Sequence, residues 1–183
     1  HRIIKACLQF LKINTERGIE IVSIGDLPAG TGMGSSGSFT VGLLNALHHI
    51  EKTTVPVHVL AEETTHINMN ILKEPGGKQD EYIASYGGIM CFEINKKGKV
   101  NAYPLNVSYQ TISALQNNLL MFYTGIARSS SIALAKQKEA TVRNDPEMLS
   151  NLREIQEIGY EIKDALEKAD LTRFGKLLNK HWR

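Results

Sequence analysis

The sequence predicts an α+β fold, and three observations lead there. A β-patterned run at residues 18–25 empties through a glycine-rich turn into a long amphipathic run. Apolar stretches on either side of the lysine-rich segment 96–99 pair as a hairpin, 89–94 against 100–105. Beyond about residue 127 the pattern is helical only. That junction divides the chain into an α+β portion holding the glycine turn, 1–127, and a helical portion, 128–183.

Each element follows from local pattern. Ile3, Ile4, Cys7, Leu8 and Leu11 recur at helical spacing and predict a helix over 2–13. Phe39, Val41, Leu43, Leu44, Leu47 and Ile50 do the same over 35–51. After a turn at 53–56, Leu60, Ile67 and Ile71 share one face of a helix over 57–72, which Pro75-Gly76-Gly77 stops. A short helix opens near Asp80 and runs through Ser85. Asn118 to Thr124 reads as a buried strand. Residues 129–143 are helical, Asp145-Pro146-Glu147 starts a helix running to about Lys168, and 171–181 forms a last one on which Trp182 packs.

Composition narrows the function classes. The chain has 183 residues, enough for one sizeable core or two small ones, and 22% charged residues with a net charge of +2. Its basic residues are not interleaved with aromatics, so no nucleic-acid surface is expected. No apolar stretch approaches the roughly twenty residues of a membrane span, and no membrane association is expected. Cys7 and Cys91 sit in apolar surroundings without metal-ligand spacing and read as buried free thiols, in keeping with a reducing cytoplasm.

The chemistry concentrates at Pro28-Ala-Gly30-Thr31-Gly32-Met33-Gly34-Ser35-Ser36-Gly37. Glycines let backbone amides approach an anion, and the first turn of a helix favours negative charge. Capping by Ser35 or Ser36 is the plainer reading, but four glycines exceed what a cap requires. A Walker A loop is excluded because no lysine follows Gly34. Gly32-Met-Gly34-Ser-Ser-Gly37 matches the dinucleotide fingerprint in its letters. The second strand that the fingerprint requires would have to be Val55–Val59, where Pro56 intervenes.

Pro28-x-x-x-Gly32-Met33-Gly34-Ser35-Ser36 resembles the second motif of the GHMP kinases, P-x-x-x-G-L-G-S-S-A, with Met33 for Leu and Gly37 for Ala. Glu74-Pro75-Gly76-Gly77-Lys78-Gln79-Asp80-Glu81-Tyr82, followed by Gly87-Gly88, is similar to the G-K-Q-D-Q-Y…G-G stretch of that family's sugar-kinase branch, especially the heptose 7-phosphate kinases. Phe122-Tyr123-Thr-Gly-Ile-Ala-Arg128 resembles its Y-T-G-x-x-R, and 170–182 its tail. The motifs stand in the family's order from about Gly18 onward. The resemblance implies a ribosomal protein S5 domain 2-like half followed by a mostly helical part. It also implies a chain truncated at both ends, since a family member is longer and closes with a third glycine-rich motif.

The function implied by that resemblance is ATP-dependent phosphorylation of a sugar or sugar-phosphate hydroxyl, the anomeric hydroxyl of a heptose 7-phosphate, with ATP and Mg²⁺. Pro28, Gly30, Thr31, Gly32, Met33, Gly34, Ser35 and Ser36 would hold the nucleotide phosphates. Asp80 would accept the attacking hydroxyl's proton; its plainer reading is a cap for a helix beginning at Glu81. Ser36 and Asn68 are the candidate Mg²⁺ ligands, Asn68 standing where the family has a Glu. Glu62 and Glu63 read as a solvated helix face, and His48-His49 as an isolated pair. Gln79, Tyr123 and Arg128 are candidates for sugar or phosphate contact. Two rival readings are a catalytically impaired, nucleotide-binding regulatory member of the same fold and a dinucleotide-dependent oxidoreductase.

Overall fold

A computed structural model describes residues 1–16, 18–26, 32–123 and 131–182, the side chains of 131–133 excepted. Contacts divide it into two units, one of His1–Gly87 with Gly125–Leu134, the other of Gly88–Thr124 with Ala135–Arg183. The expected junction at Ala127 lies outside the described residues.

In the first unit, α1 (Arg2–Phe10) buries Ile3, Ala6 and Cys7, an i, i+3, i+4 stripe. Burial pushes the Cys7 thiol up to about 11. α2 (Ser35–Ile50) turns Thr40, Val41, Leu43, Leu44 and Leu47 inward. α3 (Val57–Thr65) starts after Pro56 and continues into a π-helical segment, His66–Ile71. There Leu72 N donates to the Ile67 carbonyl at 2.9 Å, five residues back. α4 (Gln79–Tyr86) ends at Gly87, whose φ of +68° no β-carbon residue adopts easily. One apolar cluster joins these helices, with Leu44, Leu47, Ile67 and Cys7 among its most enclosed members.

The second unit holds an antiparallel hairpin, β1 (Met90–Ile94) against β2 (Val100–Pro104), with Phe92 opposite Ala102. Its tip is organised by Asn95, whose side-chain oxygen accepts from the amides of Lys97 and Lys99. α5 (Tyr109–Asn118), not anticipated from the sequence, begins at Ser108, whose hydroxyl caps the Thr111 amide at 3.1 Å. α6 (Ser131–Val142) and α7 (Pro146–Glu167) follow. Asp145 caps α7 through the Met148 amide at 2.8 Å, with Pro146 as the first helical residue, as the sequence predicts. α8 (Leu171–Trp182) packs on α7 around Ile158, Ala165 and Leu177.

The α+β class stands, but three expectations are corrected. Residues 18–25 form no strand. Ile19 and Ile21 rest on the helical core while Ile24 is 90% exposed, so period-two burial is present without a hydrogen-bonded neighbour among the described residues. The strand expected at 118–124 is also absent among its described residues, 118–123: α5 takes Asn118, and the apolar run that follows is uncovered, Phe122 being 79% exposed. Trp182 is 87% exposed rather than packed. It lies five residues, about 140° of helix, past the buried Leu177. Among the described residues no helix is long and apolar enough to cross a membrane.

Candidate functional site

The glycine turn is described from Gly32 onward; Pro28, Gly30 and Thr31 lie outside the described residues, as does Arg128. Gly32 and Gly34 both have positive φ, +76° and +65°. Gly34 is the residue before α2 in left-handed conformation, a geometry that costs roughly 1–2 kcal/mol for a residue with a β-carbon. Ser35 and Ser36 are the first helical residues and are exposed, and among the described residues no side chain caps the helix. The capping role considered for them is therefore not what they do. The amides at the start of α2 are left for another acceptor, with the helix dipole behind them.

Asp80 comes to this same turn. Its Cγ lies 3.1 Å, and Oδ2 3.3 Å, from where a β-carbon on Gly34 would sit. A β-carbon on Gly37 would lie 3.2 Å from the Asp80 backbone carbonyl carbon and 3.2 Å from its Cβ. Glycine at 34 and 37 is thus what allows α4 to reach the N-terminus of α2. Asp80 is not a cap either: α4 begins at Gln79 and is preceded by Lys78, which makes no capping bond. The Asp80 carboxyl is exposed at the turn, as is Gln79.

Behind Asp80 a polar network ties three elements together. Thr40 Oγ1, on α2, lies 2.8 Å from the Ser36 carbonyl and 3.1 Å from Asn68 Oδ1 on the π-helical segment. Asn68 Nδ2 donates to Glu81 Oε1 on α4 at 3.0 Å. A carboxylate only accepts, so the orientation of the Asn68 amide is fixed by this bond. Asn68 is 2% exposed and Glu81 6%. Glu81 and Thr40 were not anticipated. Glu81 stands beside Asp80 in the sequence, yet its burial depends on residues 13 and more positions away.

Glu62 and Glu63 are partnered rather than freely solvated. Glu62 accepts from Lys78 Nζ at 2.7 Å and from the Tyr82 hydroxyl at 2.5 Å. Burial pushes its carboxyl up, but the bonds from Lys78 and Tyr82 and the Lys78 charge outweigh burial and hold it below the usual carboxylate range. Burial and the bond to Glu62 push the Tyr82 phenol well up. Glu63 pairs with the buried His48 at 2.7 Å, whose other ring nitrogen meets Thr53 Oγ1 at 3.0 Å. His49 faces outward and contacts the Asn45 carbonyl. Tyr123 belongs to the second unit and is exposed. The stretch proposed as a second dinucleotide-fold strand, Val55–Val59, instead enters α3, which removes the context that the oxidoreductase reading needs.

Similarity to known proteins agrees with this architecture. The chain is 27% identical over 158 residues to a D-glycero-alpha-D-manno-heptose 7-phosphate kinase of Campylobacter jejuni, covering 86% of this chain and 46% of the relative. It is 25% identical to a galactokinase of Pyrococcus furiosus, covering 86% of this chain and 50% of the relative. The chain therefore spans about half the length of these curated relatives. The crystal structure of a D-glycero-D-manno-heptose 1-phosphate kinase from Bacteroides thetaiotaomicron superposes with a TM-score of 0.75 over 99% of this chain and 53% of its own, at 22% identity, which shows a shared fold. The family pattern of the GHMP kinases N terminal domain matches residues 2–88, the stretch that contains the glycine turn, Asp80 and the network behind it. Residues 2–88 belong to the GHMP kinase N-terminal domain family.

Proposed function

We propose that the protein carrying this chain transfers the γ-phosphoryl group of ATP to a hydroxyl of a sugar or sugar phosphate, the anomeric hydroxyl of a heptose 7-phosphate. The observation that carries this reading is the approach of the Asp80 carboxyl to Gly34, at the uncapped start of α2. The turn from Pro28 to Ser36 then holds the polyphosphate. Amides at the helix start complement its charge without reorganising, where side-chain donors would have to be ordered first. Asp80, fixed on the first turn of α4, accepts the proton as the sugar oxygen bonds to the γ-phosphorus and the bond to the leaving ADP oxygen breaks.

A divalent cation fits the corner behind the turn. Ser36 offers an exposed hydroxyl, and a carboxylate oxygen of Glu81 is buried without a partner next to Asn68. Among the described residues no group of three or more His, Cys, Asp and Glu stands together. Mg²⁺ keeps water and phosphate oxygens and takes one or two carboxylates, donors of the kind that Ser36 and Glu81 offer. When bound, the ion neutralises charge on the phosphates; Ser36 and the Asn68 corner would hold it. Gln79, Tyr123 and Arg128 are the proposed sugar and sugar-phosphate contacts. A domain change near 127, placing the helical residues in a second domain, belongs to the same proposal.

A panel of sugars and sugar phosphates assayed for ADP release in the intact protein tests the substrate. Asp80→Asn is expected to lower kcat by about 10²–10⁴-fold while leaving nucleotide affinity in place. Full turnover in that variant would remove Asp80 as the base.

A further inference from the structure

Glu81 uses only half of its carboxylate. Oε1 takes the Asn68 amide, while Oε2 is buried and has no hydrogen-bond partner among the described residues. A buried carboxylate oxygen without a donor is costly, and such groups are compensated by a partner charge or an ion. The neighbouring polar atoms supply no such donor. The single Thr40 proton lies between the Ser36 carbonyl and Asn68 Oδ1, and Asn68 turns its NH₂ to Oε1. The next residue back, Asp80, lies against Gly34. The unpaired oxygen therefore stands one helical residue from the carboxyl that meets the glycine turn, on the element that closes over it.

We propose that Glu81 is this chain's carboxylate ligand for the divalent cation accompanying the nucleotide, with Asn68 as the residue that positions it. The proposal rests on the phosphoryl-transfer reading given above. A hard cation takes a carboxylate oxygen in preference to an amide oxygen, because the negative charge offsets the loss of its water. Burial strengthens that pairing, since little water competes with it. The corner holds one acid and one amide joined by a single 3.0 Å hydrogen bond, and the acid is Glu81. Asn68 itself is already engaged on both sides, which suits a support better than a ligand.

The test is a Mn²⁺ titration of the intact protein with a non-hydrolysable ATP analogue, free Mn²⁺ being read by electron paramagnetic resonance. Binding of the same analogue in chelator is measured in parallel by calorimetry. Glu81→Gln keeps an acceptor for Asn68 and is expected to weaken Mn²⁺ binding about tenfold or more, with metal-free analogue affinity unchanged. The exchanged pair Asn68→Glu/Glu81→Gln is expected to return Mn²⁺ affinity to near the parent's. Unchanged Mn²⁺ affinity in Glu81→Gln, or a double variant no better than the single one, overturns the assignment. Should Glu81→Gln not fold, the double variant decides alone: parental affinity supports the proposal and a tenfold loss rejects it. A parent that binds no analogue even without metal rejects the phosphate-turn reading itself, and the metal assignment with it.

Discussion

Glu62 gathers the Lys78 ammonium and the Tyr82 hydroxyl onto one half-exposed carboxylate, clipping α3 to α4 immediately beneath the residues that carry Asp80. Its carboxyl is held below the ordinary value of 4.5, so the sign of its pH dependence is fixed. The stabilisation is complete above the unfolded pKa and is lost as pH falls through the lower folded one. Glu62→Gln is therefore expected to cost about 1 kcal/mol at neutral pH, a figure kept small because solvent screens the pair. Urea melts at a series of pH values should show the gap closing below about 4. A gap that persists unchanged at pH 3 would mean that shape, not charge, makes this contact.

At the scale of elements, the meeting of α2 and α4 depends on two missing side chains. Gly37→Ala would set a methyl 3.2 Å from the Asp80 carbonyl carbon and 3.3 Å from the Glu81 amide nitrogen, backbone atoms that cannot swing away as a flexible side chain could. It is expected to cost about 1–3 kcal/mol in thermal or chemical melts. Gly42→Ala, in the same helix with open space around it, should be neutral or slightly stabilising. Equal effects at the two positions would mean the close approach is not real. What could be read in advance at this scale was what local chemistry decides. The Asp145-Pro146 start of α7 and the Pro75-Gly-Gly stop are settled within a few residues, and both are where the sequence puts them. The strands at 18–25 and 118–124 failed because alternating or continuous apolar residues report a buried face, whereas a strand exists only with a neighbour to bond. α5 had a readable signal in Ser108 and Thr111 and was missed because its apolar stripe is weak. The corner behind Asp80 was half legible. Asn68 stood out as an oddity, but its bonds to Thr40 and Glu81 span 28 and 13 residues, and no local pattern encodes them.

Across the whole chain, the two units carry cores of different size. Among the described residues, ten buried apolar residues cluster in the first, against three in the second. Leu44→Ala, at a fully enclosed site of the first core, is expected to cost about 2–5 kcal/mol. Native-state hydrogen exchange should then quicken throughout α1 to α4 and change little in α7 and α8, because the contact units are expected to open separately. Uniform acceleration would show instead that the units open as one. The wide π-helical turn at His66–Ile71 makes a demand of another kind, on the number of residues rather than their identity. Deleting one residue there would rewind the segment and swing Asn68 by about 100°, out of reach of both its partners. Descendants of this chain should therefore vary in spelling across that stretch while its letter count stays constant.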